Sequence, residues 1–337
     1  MSYLTLDRLP RRVLEKLDLQ TVFMASRCVV AAERLKLFRR LYGKQLTAVE
    51  IGRKVRLHPK RREFFLAALV GLGLLKKNGD RYRNTALADK YFVRERSLQW
   101  TTFFSEQCLR EYEAFSVLEE MLITGKSFES ILGIKRRYYV EQMKKDTTAA
   151  RDFTYMLYHH HKPHARALAR IVNLRKYRSL LDVAGGSGVI SMALVRKYPR
   201  LKACVFDLPE VITVAANIIK KEGLSKRITT CAGDMTRQIP EGYDVIMMCD
   251  AEHVNHDTLG RIYDALLPGG LLILADFFSS EDLTEPFERL MWKLRSKEPK
   301  AQTRRQAIQM VRDCGYKKVK GQKAYGDLWL ITGSKPG

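Results

Sequence analysis

The chain has 337 residues, 46% of them hydrophobic, which suits two domains with a sizeable core and excludes a disordered or fibrous protein. Its 60 basic and 37 acidic residues leave a net charge of +23, and residues 1–100 carry +14 of it, with 23 basic against 9 acidic. Six cysteines (28, 108, 204, 231, 249 and 314) are scattered without a CxxC pair, so neither a disulfide framework nor a structural zinc is expected. No apolar run reaches the length of a membrane span, and charges run through the first eighteen residues. The expectation is therefore a cytoplasmic protein without a secretory signal.

Residues 20–42 place Val22, Phe23, Val29, Val30, Leu35, Leu37, Phe38 and Leu41 at helical spacing. Thr47 and Glu50 form a capping-box pattern at the start of the next helix. A second helix follows the break at Leu57-His58-Pro59, and the apolar run from Phe64 to Leu75 reads as its buried body and end. Asn78-Gly79-Asp80 then turns a hairpin. Helix, helix and hairpin in that order make a winged helix. Its positive charge favours nucleic acid, an anionic membrane surface touched peripherally, or an acidic substrate. The plainer reading is that these lysines and arginines are solvated surface.

Residues 101–175 read as a helical connector. From Leu180 onward the pattern changes. Apolar runs recur at 180–183, 203–206, 228–231, 245–248 and 271–274, separated by helical stretches, and two antiparallel strands close the tail. This alternation predicts a mostly parallel α/β sheet over residues 176–337, preceded by a winged-helix domain over residues 1–100.

The segment Ala184–Gly188, in "LLDVAGGSG", is a turn that lets a ligand approach the backbone at a strand end. A dinucleotide is disfavoured, because Ser191 stands where a GxGxxG pattern needs its third glycine. Asp182 also sits directly before the turn, where a carboxylate would face a pyrophosphate. The same carboxylate suits a cation. Asp207 closes the second strand 19 residues after Gly188, as an acceptor for a ribose diol. Asp234 follows the third strand, placed to accept from an adenine amino group, with Met235 against the ring. Three acids at successive strand ends describe a nucleoside with a cationic tail, namely S-adenosylmethionine. The alternative is that these acids are helix N-caps.

"LLDVAGGSG", "VFDLPEV", "AGDM" and "LLPGGLLILAD" resemble the plant-type small-molecule O-methyltransferase family, which has many bacterial members. The resemblance covers essentially the whole chain. It implies a winged-helix domain that forms a homodimer and a Rossmann-like domain with a seven-stranded, mostly parallel sheet that binds the cofactor S-adenosylmethionine. Residues 101–175 then line the cleft. The implied cofactor-binding residues are Asp182, Gly185, Gly186, Gly188, Asp207, Leu208, Asp234 and Met235, with Cys249 where the family often has a lysine. Met156, 26 residues before Asp182, and His160 fall where the family lines its cleft near the cofactor. Ala184 replaces the first glycine of the run.

The family's general base is a histidine after the fourth strand, and His253 lies at that spacing, nine residues beyond Asp244. An imidazole suits proton removal near neutral pH. Asp276 occupies the place of the acid that orients it. The surrounding motif departs from the family: His253-Val254-Asn255 replaces His-Asp-Trp, and Ala301 replaces a second glutamate. Four of the seven histidines lie in "YHHHKPHA". His160 and His164 share a face only if the helix survives Pro163, no third ligand is evident nearby, and no metal is expected.

The expected activity is methyl transfer to a hydroxyl of a small aromatic or polycyclic, anionic metabolite. Phe104, Phe287, Met291 and Trp292 are candidate pocket residues. Alternatives are C- or N-methylation on the same scaffold, cofactor use without methyl transfer, and a DNA-binding regulator that senses the cofactor. Nucleic acid is not the expected partner.

Overall fold

The computed structural model describes residues 9–15, 17–94, 108–134, 146–251, 254–296 and 301–337. The chain divides into two compact units, Met1–Glu113 and Ala114–Gly337. Among the described residues no helix is long and apolar enough to cross a membrane.

In the first unit, helices α1 (Leu19–Arg34), α2 (Leu37–Leu41), α3 (Ala48–Val55) and α4 (Pro59–Gly71) pack with a three-stranded sheet of β1 (Leu46–Thr47), β2 (Leu75–Asn78) and β3 (Arg81–Asn84). The strand order β1-β3-β2 with the β2–β3 hairpin is the winged-helix arrangement. The Thr47–Glu50 capping box forms at the start of α3, each side chain bonding the other residue's backbone N–H, at 3.2 and 2.7 Å. A cap of this kind contributes about 1 kcal/mol. Two details differ from the sequence reading. The helix expected over 20–42 breaks at Lys36, whose φ of 55° is left-handed, and restarts as α2. Phe64 is 80% exposed, because helical periodicity turns only Leu66 and Leu69 of the run's part within α4 fully into the core.

The second unit opens with helical segments. Of these, α5 (Thr147–His160) and α6 (Lys162–Ile171) precede the sheet. They are separate because Pro163 has no N–H for the carbonyl four residues back, so α5 stops and α6 restarts with the proline in its first turn. Then follow β4 (Ser179–Val183), α7 (Val189–Lys197), β5 (Lys202–Asp207), α8 (Pro209–Lys221), β6 (Ile228–Ala232), β7 (Tyr243–Cys249), α9 (His256–Ala265), β8 (Leu266–Asp276), α10 (Phe287–Leu294), α11 (Arg304–Asp313), β9 (Lys317–Tyr325) and β10 (Leu328–Ser334).

The seven strands lie in the order β6-β5-β4-β7-β8-β10-β9. The first five run parallel, and β10 pairs antiparallel with both β8 and β9. Alternate strand residues feed two cores: Leu180, Val205, Met247 and Ile273 on one face, Leu181, Phe206, Met248 and Leu274 on the other. Burial on both faces is why these strands read as continuous apolar runs. The strand order reverses between β4 and β7, which puts a crevice at the carboxyl ends of those two strands.

Candidate active site at the strand switch point

The turn after β4 is held by backbone bonds: Gly188 N–H donates to Gly185 O at 2.9 Å and Gly185 N–H to Phe206 O at 3.3 Å. A Cβ on Gly185 would lie 2.7 Å from Asp182 Cγ, and one on Gly188 would lie 2.9 Å from Val205 Cγ2. Gly188 also has φ +71° and begins α7. Ala184 takes φ 52°, so the alanine at this position carries left-handed strain on the order of 1–2 kcal/mol that a glycine would not.

Asp182 is 2% exposed and belongs to the last residues of β4. Burial, helped by the charge of Asp207 and opposed by the hydrogen bond from Ser191, brings its carboxyl up to about 7. Ser191 Oγ donates to Asp182 Oδ2 at 2.6 Å. The serine that spoils a dinucleotide pattern is therefore the partner of the turn's aspartate, a role the spacing alone did not suggest. Asp207 accepts from Gly186 N–H at 2.8 Å and from Leu208 N–H at 2.7 Å, and burial raises its carboxyl as well.

The backbone ties the third acid to the second, since Gly233 N–H donates to Asp207 O at 2.9 Å. Asp234 stands two residues beyond the end of β6 and accepts from the Thr236 N–H and hydroxyl at 2.9 and 2.6 Å. Met235 is buried with Phe206 and Ile239. Neither Asp182 nor Asp207 acts as a helix N-cap. The caps of α7 and α8 are Gly188 and Leu208, without side-chain bonds.

Met156, on α5, is buried. Its neighbour Leu157 stands 3.8 Å from where a Cβ at Gly186 would be, so α5 runs beside the glycine turn. Cys249 ends β7, and burial followed by the charges of Asp182, Asp276 and Asp250 keeps its thiol well above the usual range. It therefore supplies no charge where a lysine would.

A second group gathers at the ends of β7 and β8, and sequence reasoning missed most of it. Asp250 follows Cys249 with φ 49° and pairs with His161 Nε2 at 3.2 Å and with the Arg289 guanidinium. Burial opposes its ionisation, but the His161 bond and the Arg289 charge outweigh it and hold the carboxyl well below the usual range. Asp276, at the end of β8, goes the other way: burial and the Asp250 charge raise it to about 7. Its carboxylate accepts from Phe277 N–H at 2.6 Å. The pair thus divides its labour, with Asp250 ionised and Asp276 holding a proton near neutral pH.

Arg289, on α10, lies over the rings of Phe277 at 4.6 Å and Trp292 at 5.0 Å. Of the expected pocket residues, Met291 and Trp292 are half-buried, whereas Phe287 is exposed at the start of α10. Phe104 and His253, the expected base, lie outside the described residues. His160 ends α5, where burial, then His161 and His164, bring its ring down to about 3; His164 falls to about 4, mainly through burial. Both are neutral imidazoles at physiological pH.

The comparisons with known proteins agree with this geometry. An O-methyltransferase domain model matches residues 115–317, and an O-methyltransferase dimerisation domain model matches residues 17–94. The tetracenomycin polyketide synthesis 8-O-methyl transferase of Streptomyces glaucescens is 28% identical over 332 residues, covering 95% of this chain and 96% of that protein. The 3-hydroxy-5-methyl-1-naphthoate 3-O-methyltransferase of Streptomyces sahachiroi is 27% identical over 285 residues, 82% and 81% of the two chains. PigF, solved with S-adenosylhomocysteine, shares the fold with a TM-score of 0.82 at 21% identity, over 95% of this chain and 100% of that one. The buried acids around a glycine turn at the switch point and the two matched domains lead to one conclusion: the chain belongs to the S-adenosylmethionine-dependent O-methyltransferase family.

Proposed function

We propose that this methyltransferase acts on a hydroxyl of a small aromatic or polycyclic metabolite that carries an anionic group. The observation that carries this reading is Arg289, a guanidinium set over the faces of Phe277 and Trp292 beside the ends of β7 and β8. Such a group recognises a flat anion by charge and by stacking together. The names of the two relatives, a polyketide 8-O-methyl transferase and a naphthoate 3-O-methyltransferase, support the same substrate class.

The residues present fit the cofactor. Asp182 is a buried carboxyl that pairs with no cation among the described residues, and a Cβ at Gly185 would fill the space beside it. When bound, S-adenosylmethionine supplies an electrophilic methyl group on a cationic sulfur. We assign Asp182 to the ammonium of its amino-acid end and the backbone of Gly185, Gly186 and Gly188 to close approach. Asp207, with Leu208, takes the ribose, and Asp234 with Met235 takes the adenine. Met156, His160 and Cys249 line the cofactor side of the cleft. His253 is assigned as the base that removes the hydroxyl proton, with Asp276 as its orienting acid; positioning the acceptor and removing that proton are then the protein's share of the catalysis. For the assembly we assign a homodimer, with Leu19, Phe23 and Met24 on α1 as the apolar contact; they are 91%, 55% and 51% exposed.

The test is incubation of the purified protein with S-adenosylmethionine and a panel of hydroxynaphthoates, with products identified by mass and NMR. O-methylated product is expected, and N- or C-methylated product from amino or carbon acceptors alone would overturn the hydroxyl assignment. His253→Ala should abolish product while leaving affinity for S-adenosylhomocysteine unchanged. Unaltered turnover in that variant would remove His253 from the base role.

A further inference from the structure

Of the three histidines at the α5–α6 junction, only His160 is assigned to methyl transfer, as cleft lining, and the group as a whole has no role there. His160 is the last residue of α5, His161 closes that helix by donating its N–H to Leu157 O at 2.9 Å, and His164 lies in the first turn of α6. His161 is itself right-handed helical and its carbonyl accepts from Ala165 N–H at 2.8 Å, so the spacing of three and four residues that makes helical side chains neighbours carries through the junction. The rings meet as a near-equilateral triangle, with ring centroids 5.2, 5.6 and 5.5 Å apart. One nitrogen of each ring lies within 4.8 Å of those of the other two.

We propose that His160, His161 and His164 bind one zinc-class divalent ion, with Asp250 as the carboxylate partner of His161. Three imidazole nitrogens around tetrahedral zinc, at about 2.0–2.1 Å from the metal, stand roughly 3.4 Å from one another. The present spacing of up to 4.8 Å has to close by on the order of 1 Å to reach that value when the ion binds. His161 Nε2 is 3.2 Å from Asp250 Oδ2. With Nε2–H donating its hydrogen bond to that carboxylate, the lone pair of the neutral ring is on Nδ1, the carboxylate–histidine–metal relay that fixes tautomer and orientation in metal sites. Asp250 is itself held by Arg289, so the second shell is anchored.

On its other side, His164 packs edge-on against Phe277 and Tyr325, at 5.7 and 5.6 Å, which restrains the third ligand. An all-imidazole set selects zinc, cobalt, nickel or copper over magnesium and calcium, which take oxygen ligands. Three protein ligands leave the fourth position open to water or to an oxygen of a bound small molecule, as in sites that exchange ligands and unlike closed structural sites. The site lies beside the cofactor region but does not depend on the methyl-transfer assignment, because the ion is to bind with neither cofactor nor acceptor present.

The experiment uses tag-free, full-length protein stripped with a chelator and titrated with ZnCl2 alone by calorimetry, then with CoCl2 by visible absorption. The proposal expects one equivalent of Zn2+ bound at micromolar affinity or tighter, and four-coordinate Co2+ bands that Zn2+ displaces. His160→Gln and His164→Gln should each weaken Zn2+ binding by roughly 100-fold or more, and Asp250→Asn by about 10–100-fold. A measurement on the unmutated protein removes dependence on how the variants fold: in 15N-histidine NMR, three of the seven histidines should shift their ring nitrogens on adding one equivalent of Zn2+. Failure to bind Zn2+, or binding that leaves those rings unshifted or is equally strong in His160→Gln and His164→Gln, would overturn the proposal.

Discussion

Replacing Asp182 by asparagine, which keeps the shape and removes the charge, separates what this carboxyl does to the empty protein from what it does for the cofactor. Its pKa in the fold is about 7, against 3.8 for a free aspartate. Ionising it in the empty site therefore costs on the order of 4 kcal/mol. The sign follows from linkage. A folded pKa above the unfolded one means that the native state holds a proton the unfolded chain has lost. That contribution is complete below about pH 4 and disappears as pH rises through about 7. Between pH 4 and pH 8, urea unfolding should show Asp182→Asn gaining stability relative to the unmutated protein, by roughly 2–4 kcal/mol across the range. Other groups titrate alike in both proteins and drop out of the difference. Affinity for S-adenosylhomocysteine should run oppositely. If its ammonium pairs with the ionised carboxylate, binding to the unmutated protein weakens up to tenfold per pH unit below about 7. In the variant it is weaker by roughly 100-fold at pH 8 and flat with pH. A stability difference that does not change with pH would refute the burial argument. Calorimetric affinity that is independent of pH in the unmutated protein would refute the ammonium assignment.

The glycine turn gives a paired prediction. Gly185→Ala puts a Cβ 2.7 Å from Asp182 Cγ and 2.9 Å from its carbonyl oxygen, so it should cost about 1–3 kcal/mol of stability and most of the S-adenosylhomocysteine affinity. Gly186→Ala meets only Leu157 Cδ1 at 3.8 Å, with φ +55°, and should cost about 1–2 kcal/mol from backbone strain alone; thermal melts and calorimetry on both variants check the order. Arg289→Lys keeps the charge but loses the flat stack over Phe277 and Trp292. Steady-state kinetics should show KM for an anionic aromatic acceptor rising about tenfold and KM for S-adenosylmethionine unchanged.

Local chemistry is what the sequence states openly, and the pairings across the sheet are what it hides. The run at Leu180–Val183 and the capping box at Thr47–Glu50 were legible because each depends on neighbours within four residues. The strand-end acids Asp182 and Asp207 were legible for the same reason, since a glycine turn and a strand end locate them without knowledge of the strand order. Asp250 stands at a strand end too and obeys the same rule. It was passed over because its partners, His161 and Arg289, are 89 and 39 residues away and meet it only after β4 and β7 become neighbours. The histidine cluster shows the same limit from the other side. Helical spacing makes His160 and His164 neighbours at four residues and His161 and His164 neighbours at three, but only if the helical path survives Pro163. It does survive locally: His161 is right-handed helical, with its N–H on Leu157 O and its carbonyl accepting from Ala165 N–H, and the three rings meet. A local rule that predicts a helix end cannot say where the residues on either side of it will point, because that direction is set by what the second helix packs against. Here α6 packs on α7, and that contact fixes the direction the chain takes after the junction.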